Sequence, residues 1–166
     1  MRLLITSPVR SLLAEYDGTA LRGLHFFESD RHPPAGTRDE PARGDVLGRQ
    51  IVREMREYFA GERKNFDLPL SPRGTPFQQK VWNALRAIPF GSTRSYGTLA
   101  DEIGTPGAAR AVGQANRRNP IPIIIPCHRV LAASGSIGGY MGSGPDGDGT
   151  VIKRWLLIHE GVELKF

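Results

Sequence analysis

The residues with the clearest chemical potential stand in one short run, Pro126-Cys127-His128-Arg129-Val130. Cys127 is the only cysteine among 166 residues. A thiol is a weak nucleophile until it ionises, and a free cysteine with a pKa of ~8.5 is mostly protonated near neutrality. A reactive cysteine therefore needs a base or a positive environment, and His128 and Arg129 follow it directly. Because neighbours in an extended segment point to opposite sides, we expect a turn or a bridging water to connect Cys127 with His128.

A histidine that acts as a base is usually oriented by a carboxylate on its other ring nitrogen. Composition does not choose that carboxylate, but Glu160, at the end of an otherwise apolar helix face, is a good candidate. A lone cysteine after an apolar run is, on that pattern alone, more typical of a buried structural residue. The His128-Arg129 pair and the basic charge of this half of the chain favour a reactive cysteine instead.

The same composition excludes several kinds of site and several cellular locations. One cysteine permits no intramolecular disulfide and no multi-cysteine zinc site. The four histidines show no metal-ligand spacing, so we expect neither a metal nor another cofactor. No stretch reaches the ~18 apolar residues of a membrane span. The apolar start, Met1–Thr6, is too short for a secretory leader and is better interpreted as a strand, so we expect a cytoplasmic protein with no membrane partner.

The net charge of +5 is concentrated in the second half of the chain. Residues 1–70 hold eleven basic and eleven acidic side chains, whereas residues 71–166 hold eleven basic and six acidic. Within 71–133 there are eight basic and two acidic residues. A basic surface confined to one half suits a polyanionic partner, although charge alone fits a solvated basic face equally well.

The elements of the first 70 residues predict a small α/β domain made of a strand meander and one helix. The turn signals Ser7-Pro8 and Asp17-Gly18 separate the strands, and Gly61 ends the helix. Nothing in this part resembles a catalytic motif. The predicted elements are strands at 3–5, 12–16 and 21–27, a loop at 29–45 and a helix at Val46–Phe59.

The second half, residues 71–166, begins with a well-marked helix. Thr75 is a good N-cap, Pro76 suits the first helical position, and Gln78 completes a capping box before an apolar stripe that reaches Ile88. A second helix is predicted at 96–103, with Ser95 as its N-cap and Gly104 as its stop.

A third helix is predicted to begin at Thr105-Pro106, again with threonine as cap and proline at the first position. Two helices joined by a tight glycine-containing turn are typical of a helix-turn-helix. On a helical projection of this third helix, one side is apolar and the other is basic and carries small residues. A DNA duplex could approach such a basic side closely. The alternative is an ordinary amphipathic helix with a charged face toward solvent. The apolar side comprises Ala108, Ala111, Val112 and Ala115; the other side comprises Arg110, Gln114, Arg117 and Arg118, flanked by Ala109 and Gly113.

Three prolines interrupt the apolar segment 119–126 that leads to Cys127. Because proline cannot donate to a sheet, this segment is predicted to be an edge strand or a buried extended segment. A glycine-rich loop is expected at 134–149. The last helix is predicted at 150–160, with its inner face made of Ile152, Trp155, Leu156 and His159.

The run around Cys127 resembles the signature of the O6-alkylguanine-DNA alkyltransferases, also called methylated-DNA–protein-cysteine methyltransferases. Further stretches are similar to that family, in the family's order, from about residue 70 to the end. Residues 1–70 resemble its N-terminal domain only in the order of strands and helix. The further stretches are Phe77–Trp82, Ser95-Tyr96, Ala108–Gly113, Asn119–Ile123, Trp155–Leu157 and His159–Gly161.

The resemblance implies a two-domain α/β protein. Residues 1–70 would form a ribonuclease-H-like domain, and residues 71–166 a mostly helical DNA-binding and alkyl-acceptor domain with a helix-turn-helix. The implied activity is repair of O6-alkylguanine, with O4-alkylthymine as a second candidate lesion. The alkyl group would move irreversibly to Cys127 after base flipping, once per molecule.

The resemblance also implies roles for individual residues. His128 would draw the thiol proton through a water, and Glu160 would polarise His128. Tyr96 would donate a hydrogen bond or proton to the leaving guanine and help rotate the nucleotide, and Asn119 would brace the turn. The guanine pocket would be lined by Gly138, Gly139, Tyr140 and Met141.

The implied partner is double-stranded DNA carrying an alkylated guanine, bound through the minor groove by a monomer. Arg110 would enter the base stack as the base leaves, and the small residues Ala109 and Gly113 would let the helix approach closely. Gln114, Arg117 and Arg118 would complete the DNA surface.

One departure from the family and two competing classes remain. The loop 141–150 looks longer and more acidic than is usual in the family, and it borders the expected guanine pocket. A non-enzymatic lesion-binding relative lacks the cysteine, so Cys127 argues against that class. A plain helix-turn-helix regulator would leave Tyr96 and the Cys127-His128-Arg129 run unexplained.

Overall fold

The computed structural model describes every residue except 29, 142, 143, 145, 146 and 166. The chain divides into two units, Met1–Arg73 and Gly74–Phe166. Both contain helices and strands, which gives the α/β fold predicted from the sequence. The unusual loop 141–150 is described only in part, because four of its residues, 142, 143, 145 and 146, lie outside the described residues.

The first unit contains a four-stranded sheet in the order β3-β2-β1-β4. The meander is antiparallel, as its turn signals predict, and Leu3 lies opposite Ala14 in its register. The short strand β4 pairs parallel to β1 inside the segment predicted as a loop, so that prediction was wrong at two residues. The strands are β1 Arg2–Ile5, β2 Leu12–Tyr16, β3 Leu21–Phe26 and β4 Thr37–Arg38.

Helix α1, Val46–Phe59, has the predicted bounds. Asp45 caps it by accepting a hydrogen bond from the Gly48 backbone N–H at 2.8 Å, and it also accepts the Tyr16 hydroxyl of β2 at 2.5 Å. Ile51 and Met55 are fully buried. The cap therefore anchors the helix to the sheet at the end where its apolar stripe begins.

Helix α2, Pro76–Arg86, begins with the predicted capping box between Thr75 and Gln78 and ends two residues before Ile88. Trp82 is almost fully buried, and its indole N–H donates to the Ala115 carbonyl at 2.9 Å. Because a buried indole needs an acceptor, this bond fixes α2 against the helix that carries Ala115.

Helix α3, Tyr96–Glu102, is capped by Ser95 as predicted. Helix α4 is Ala109–Arg117, so its predicted start at Thr105-Pro106 was wrong. The Thr105 hydroxyl instead donates to the Ala100 carbonyl at the end of α3, at 3.3 Å. Gly107 has φ +80, which interrupts helical geometry until Ala109.

The faces of α4 only partly match the prediction. Val112 and Ala115 are buried, but Ala111 is exposed and Asn116 takes its place on the inner face. The reason is geometric, because Asn116 lies one helical turn after Val112. On the outer side the basic and amide residues Arg110, Gln114, Arg117 and Arg118 are exposed as predicted.

The proline-rich segment before Cys127 is not the predicted edge strand or extended segment. It folds into a buried turn, in which the Ile125 backbone N–H donates to the Ile121 carbonyl at 2.9 Å and Ile123 has φ 75. A 3₁₀ turn, Cys127–Arg129, follows directly. It leads into β6, Val130–Leu131, which pairs parallel to β5, Arg94–Ser95.

Helix α5, Asp148–His159, begins two residues earlier than predicted. Ile152 and Leu156 are buried as expected, whereas Trp155 and His159 are half-buried and stack on each other at 4.8 Å. Lys153 is fully buried. In the part of the chain that the structure describes, no helix has the length and apolar character needed to cross a membrane.

Candidate active site

A cavity of about 220 Å³ brings together residues from α3, α4, the 3₁₀ turn and the loop before α5. Six of the nine residues predicted from sequence to act in chemistry or to line the pocket reach it, whereas His128, Glu160 and Gly138 do not line it. The lining residues are Tyr96, Gly113, Asn116, Arg117, Asn119, Cys127, Gly139, Tyr140 and Met141.

Cys127 begins the 3₁₀ turn and is only 4% exposed. Asn119 holds the preceding turn from two sides: its Nδ2 donates to the Ile125 carbonyl at 2.7 Å, and its Oδ1 accepts the Ile121 backbone N–H at 3.0 Å. The Cys127 backbone N–H donates to Ile125 as well, at 2.8 Å. The position of the sulfur is therefore set by backbone bonds that Asn119 makes possible.

The Cys127 sulfur lies 3.6 Å from the Tyr140 hydroxyl. Burial raises the pKa of the Cys127 thiol, against hydrogen bonds from Tyr140 and Asn119 and the positive charge of Lys153, which lower it. The resting sulfur is therefore a protonated thiol near neutral pH.

His128 and Glu160 form a buried pair, with His128 Nε2 2.8 Å from Glu160 Oε1. Burial alone would raise the pKa of Glu160, but hydrogen bonds from His128 and Arg129 hold it well below its usual range. An ionised carboxylate only accepts, so Nε2 must carry the ring proton. Nδ1 then presents a lone pair, and this buried atom has no hydrogen-bond partner among the described residues. Burial lowers the pKa of His128, so the ring is neutral at rest.

Arg129 occupies the other side of the same carboxylate. Its Nε donates to Glu160 Oε2 at 2.8 Å, and its Nη2 donates to Oε1 at 2.9 Å. Its Nη1 donates to the Ile88 carbonyl at 2.6 Å. This two-pronged pair fixes the plane of the carboxylate that faces His128.

Lys153 was missed by the sequence reasoning. It is fully buried, and its Nζ donates to the Val130 carbonyl at 2.7 Å and the Ile137 carbonyl at 2.8 Å. Burial lowers its pKa to about 8, while its attraction to Cys127 acts in the other direction. The signal in the sequence was its position three and four residues before Leu156 and Leu157, on the inner face of α5.

Asn116 was missed as well. It is 6% exposed, its Nδ2 donates to the Cys127 carbonyl oxygen at 3.4 Å, and it lines the cavity together with Tyr96. Burial raises the pKa of Tyr96, and the negative charge of Cys127, once it is ionised, raises it further. The sequence signal for its burial was its position one helical turn after Val112, which places both residues on the inner face of α4.

The residues predicted to contact DNA lie on the outer part of α4. Arg110, Gln114 and Arg118 are exposed and do not line the cavity, whereas the exposed Arg117 does. The smaller residues Ala109 and Gly113 are half-exposed. A Cβ on Gly113 would lie 3.8 Å from the Tyr96 ring, an ordinary contact distance.

The site therefore presents a buried thiol and a phenol to one small cavity beside the exposed Arg117, and a neutral imidazole with an open lone pair directly follows the thiol in the chain. Residues 76–162 match the family model described as 6-O-methylguanine DNA methyltransferase, DNA binding domain. The methylated-DNA–protein-cysteine methyltransferase of Mycobacterium tuberculosis is 51% identical over 138 residues, covering 83% of this chain and 82% of that protein.

Two solved structures from M. tuberculosis agree. The O6-methylguanine methyltransferase superposes with a TM-score of 0.81 and 44% identity, covering 96% of this chain and 91% of that one. The protein named OGT in complex with DNA superposes with a TM-score of 0.79 and 45% identity, with the same coverage. Since the family model spans more than half of the chain and the relative exceeds half identity over most of both lengths, this protein belongs to the 6-O-methylguanine DNA methyltransferase family.

Proposed function

We propose that this protein repairs O6-alkylguanine in DNA by moving the alkyl group irreversibly to Cys127, once per molecule. The observation that carries the proposal is the position of the only cysteine, buried at a small cavity and directly followed by a histidine that is hydrogen-bonded to an ionised glutamate. Membership of the family supports alkyl transfer in DNA repair as the activity.

The proton of the thiol goes to His128. Its Nδ1 lone pair is the acceptor, and the buried glutamate stabilises the imidazolium that forms. A bridging water carries the proton, because the hydrogen bond found for the sulfur runs to the Tyr140 hydroxyl rather than to the imidazole ring. The resting pair is neutral, so charge separates only when a substrate occupies the cavity.

The transfer is a single displacement at the alkyl carbon. The carbon–sulfur bond forms as the carbon–O6 bond breaks, and the electron pair of the broken bond stays on the guanine. Tyr96 lies at the cavity and donates a hydrogen bond or proton to the leaving guanine. The product is a thioether, a bond that the described side chains of this site have no chemistry to cleave, so each molecule acts once.

The target nucleotide leaves the duplex before reaction. A sulfur that is 4% exposed cannot reach a substituent inside a base stack, so the base has to enter the cavity. Tyr140, Met141 and Gly139, which line the cavity, form one wall of the guanine pocket. Arg110, exposed near the start of α4, enters the stack in place of the extruded base.

The DNA surface is the outer side of α4 in a helix-turn-helix made of α3 and α4. The connection between these helices contains Gly104 and Gly107 with positive φ, which supports a tight turn. Ala109 and Gly113 give α4 a low profile suited to the minor groove, and Gln114, Arg117 and Arg118 contact the backbone. One chain supplies the whole site, so the active form is a monomer, with a ribonuclease-H-like domain at 1–70 and the acceptor domain at 71–166.

The test is intact-protein mass spectrometry after incubation with a duplex that carries one O6-methylguanine. We expect one added methyl per molecule, located on Cys127 by peptide mapping, and none after Cys127→Ser. A duplex with unmodified guanine is the control. A protein that stays unmodified but binds the lesion tightly would contradict the proposal and indicate a lesion-binding function.

A further inference from the structure

Lys153 is a fully buried lysine to which the proposed mechanism gives no role. Its Nζ donates to the Val130 carbonyl at 2.7 Å and to the Ile137 carbonyl at 2.8 Å, and it lies 6.0 Å from the centre of the Tyr140 ring. These partners are neutral groups rather than a carboxylate. Because a buried charge without a counterion is costly, a lysine at this position calls for an explanation beyond packing.

The two carbonyls that Lys153 joins belong to two parts of the active site. Val130 begins β6, directly after the 3₁₀ turn that starts with Cys127. Ile137 lies two residues before the pocket wall, which we define as residues 139–141, all of which line the cavity. One side chain therefore connects the strand that follows the nucleophile with the segment that leads into the pocket wall.

Thr150, one helical turn before Lys153 on α5, contacts the same segment. Its hydroxyl donates to the Gly144 carbonyl at 2.8 Å and lies 3.4 Å from the Gly138 carbonyl. Thr150 is 5% exposed. The inner face of α5 therefore holds the chain on both sides of the pocket wall.

The pocket wall is a segment that needs such support. Met141 has φ 53, in the left-handed region that residues other than glycine rarely adopt. A backbone of this kind persists only where the surrounding contacts hold it in place. The Tyr140 hydroxyl lies 3.6 Å from the Cys127 sulfur, so any shift of the pocket wall would change its position relative to the nucleophile.

We propose that Lys153 is a positioning residue that clamps the pocket wall to β6 and thereby sets the position of the bound guanine relative to the Cys127 sulfur. The clamp acts through Tyr140, the large side chain of the wall. The inference rests on the proposed function, and it adds a residue for which that function gave no role.

The first test is single-turnover methyl transfer from an O6-methylguanine duplex to Lys153→Met, which keeps an unbranched side chain but has no donor. The maximal rate should fall by about 10- to 100-fold, because a displaced wall misaligns the alkyl carbon and the sulfur. The half-saturating DNA concentration should stay within about twofold, since the outer side of α4 is unchanged. The amplitude should remain one methyl per molecule, whereas a partly unfolded protein would lose amplitude.

The second test is a double-mutant cycle with Tyr140→Ala, which removes the large side chain of the pocket wall. In that background Lys153→Met should change the maximal rate by less than about twofold, because the group that the clamp positions is already missing. A lysine that only supports folding would cause the same loss with and without the Tyr140 side chain.

Lys80→Met is the matched control, because Lys80 is an exposed lysine on α2. It should change neither the maximal rate nor the half-saturating concentration. Lys153→Gln, which loses the charge but keeps an amide donor, is the second variant. Its loss of rate should be smaller than that of Lys153→Met and should depend on Tyr140 in the same way.

Three results would overturn the inference. They are an unchanged maximal rate in Lys153→Met, an equal loss of rate with and without the Tyr140 side chain, and loss of folding in both Lys153 variants as measured by urea unfolding. The last result would assign this lysine to folding alone. Failure of the wild-type protein to accept any methyl group is a different outcome, because it would refute the proposed function itself.

Discussion

At the scale of the residue, Glu160 is the group on which the site depends most. Its two oxygens are divided between His128, which it orients, and Arg129, which fixes it in place. The side chains of Glu160 and His128 are fully buried, and that of Arg129 is nearly so. A buried charge that loses its partner is far more costly than an exposed one. In the proposed mechanism the same residue therefore serves both proton transfer and the stability of the unit.

Glu160→Gln should lower the free energy of unfolding by about 3–5 kcal/mol at neutral pH, because it leaves the Arg129 charge buried without a counterion. The folded pKa of Glu160 lies below its usual value of 4.5, so its contribution is complete above that pH and is lost as pH falls through the folded pKa. The difference between variant and wild type should therefore shrink only below about pH 4.5. Urea unfolding over that range measures it.

The matched control for Glu160 is Glu102→Gln. Glu102 pairs with Arg94 at 3.1 Å, but both side chains are well exposed. Exposed pairs contribute little, so this variant should lose less than about 1 kcal/mol. A similar loss in both variants would contradict the importance given to the buried pair.

Lys153 should make stability rise with pH over a defined window. Its folded pKa of about 8 lies below the ordinary 10.5, so the unfolded chain binds the extra proton between these values. Stability relative to Lys153→Met should be constant below pH 8 and should then increase, by on the order of 3 kcal/mol in total. Urea unfolding of both proteins in a Cys127→Ser background, which removes the coupled thiol, measures it. A difference that does not vary with pH would show that this lysine keeps its ordinary pKa.

At the scale of the element, local signals in the sequence predicted the ends of those helices that are fixed by contacts close by in the chain. The bounds of α1 followed from its apolar period, and the capped starts of α2 and α3 followed from Thr75 and Ser95, each bonded within its own first turn. The start of α4 did not, because Thr105 has the same type of side chain as a cap but bonds backward to close α3. Sequence pattern does not distinguish these two uses of one hydroxyl.

The candidate site was predictable where its residues belong to a run or a motif, as Cys127 and His128 do. Lys153 and Asn116 were not predicted, because a polar residue on an apolar helix face is ordinarily turned to solvent. Their burial depends on acceptors that come from distant parts of the chain, the Val130 and Cys127 carbonyls. Only the packed structure brings those groups together.

Arg110 tests the role proposed for α4. Arg110→Ala should slow methyl transfer from duplex DNA by about tenfold or more, because the gap left by the extruded base is no longer filled. Transfer from free O6-benzylguanine should be almost unchanged, since no stack is opened. Single-turnover rates on the two substrates measure the contrast.

Arg86→Ala is the matched control for Arg110, because Arg86 is an exposed arginine at the end of α2. It should change neither rate. Equal losses on duplex and free base in Arg110→Ala would refute insertion into the stack.

At the scale of the whole molecule, the excess positive charge belongs to the second unit. Residues 71–133 supply eight basic and two acidic side chains. Three of the basic residues are exposed on or beside α4: Arg110 near its start, and Arg117 and Arg118 at its end. Residues 1–70 are balanced in charge, and several of their arginines are engaged with carboxylates, as Arg63 is with Glu57 at 2.7 Å. The two units should therefore differ sharply in their attraction to a polyanion.

Replacing Arg110, Arg117 and Arg118 together by alanine should weaken DNA binding and reduce its dependence on salt. The slope of log affinity against log salt falls by about 0.9 for each phosphate that the protein no longer neutralises. The expected decrease is therefore about 2 to 3, measured by titrating a labelled duplex at several salt concentrations.

The control is a triple alanine variant at Arg49, Arg53 and Arg56, which are exposed on α1 and remove the same charge. Its slope should equal that of the wild type. Equal decreases in the two triple variants would show that net charge, rather than the surface of α4, governs binding.

The burial of Cys127 has a consequence for how long the protein lasts in a cell. In the proposed function each molecule reacts only once, so every accidental oxidation or adduct on Cys127 permanently removes one active molecule. Cys127 is the only thiol in the chain, it is 4% exposed, and its resting form is the less reactive protonated one. Peroxides and small electrophiles therefore meet almost no accessible thiolate. The burial that, in the proposed function, obliges the base to leave the duplex therefore also protects the unused protein from inactivation.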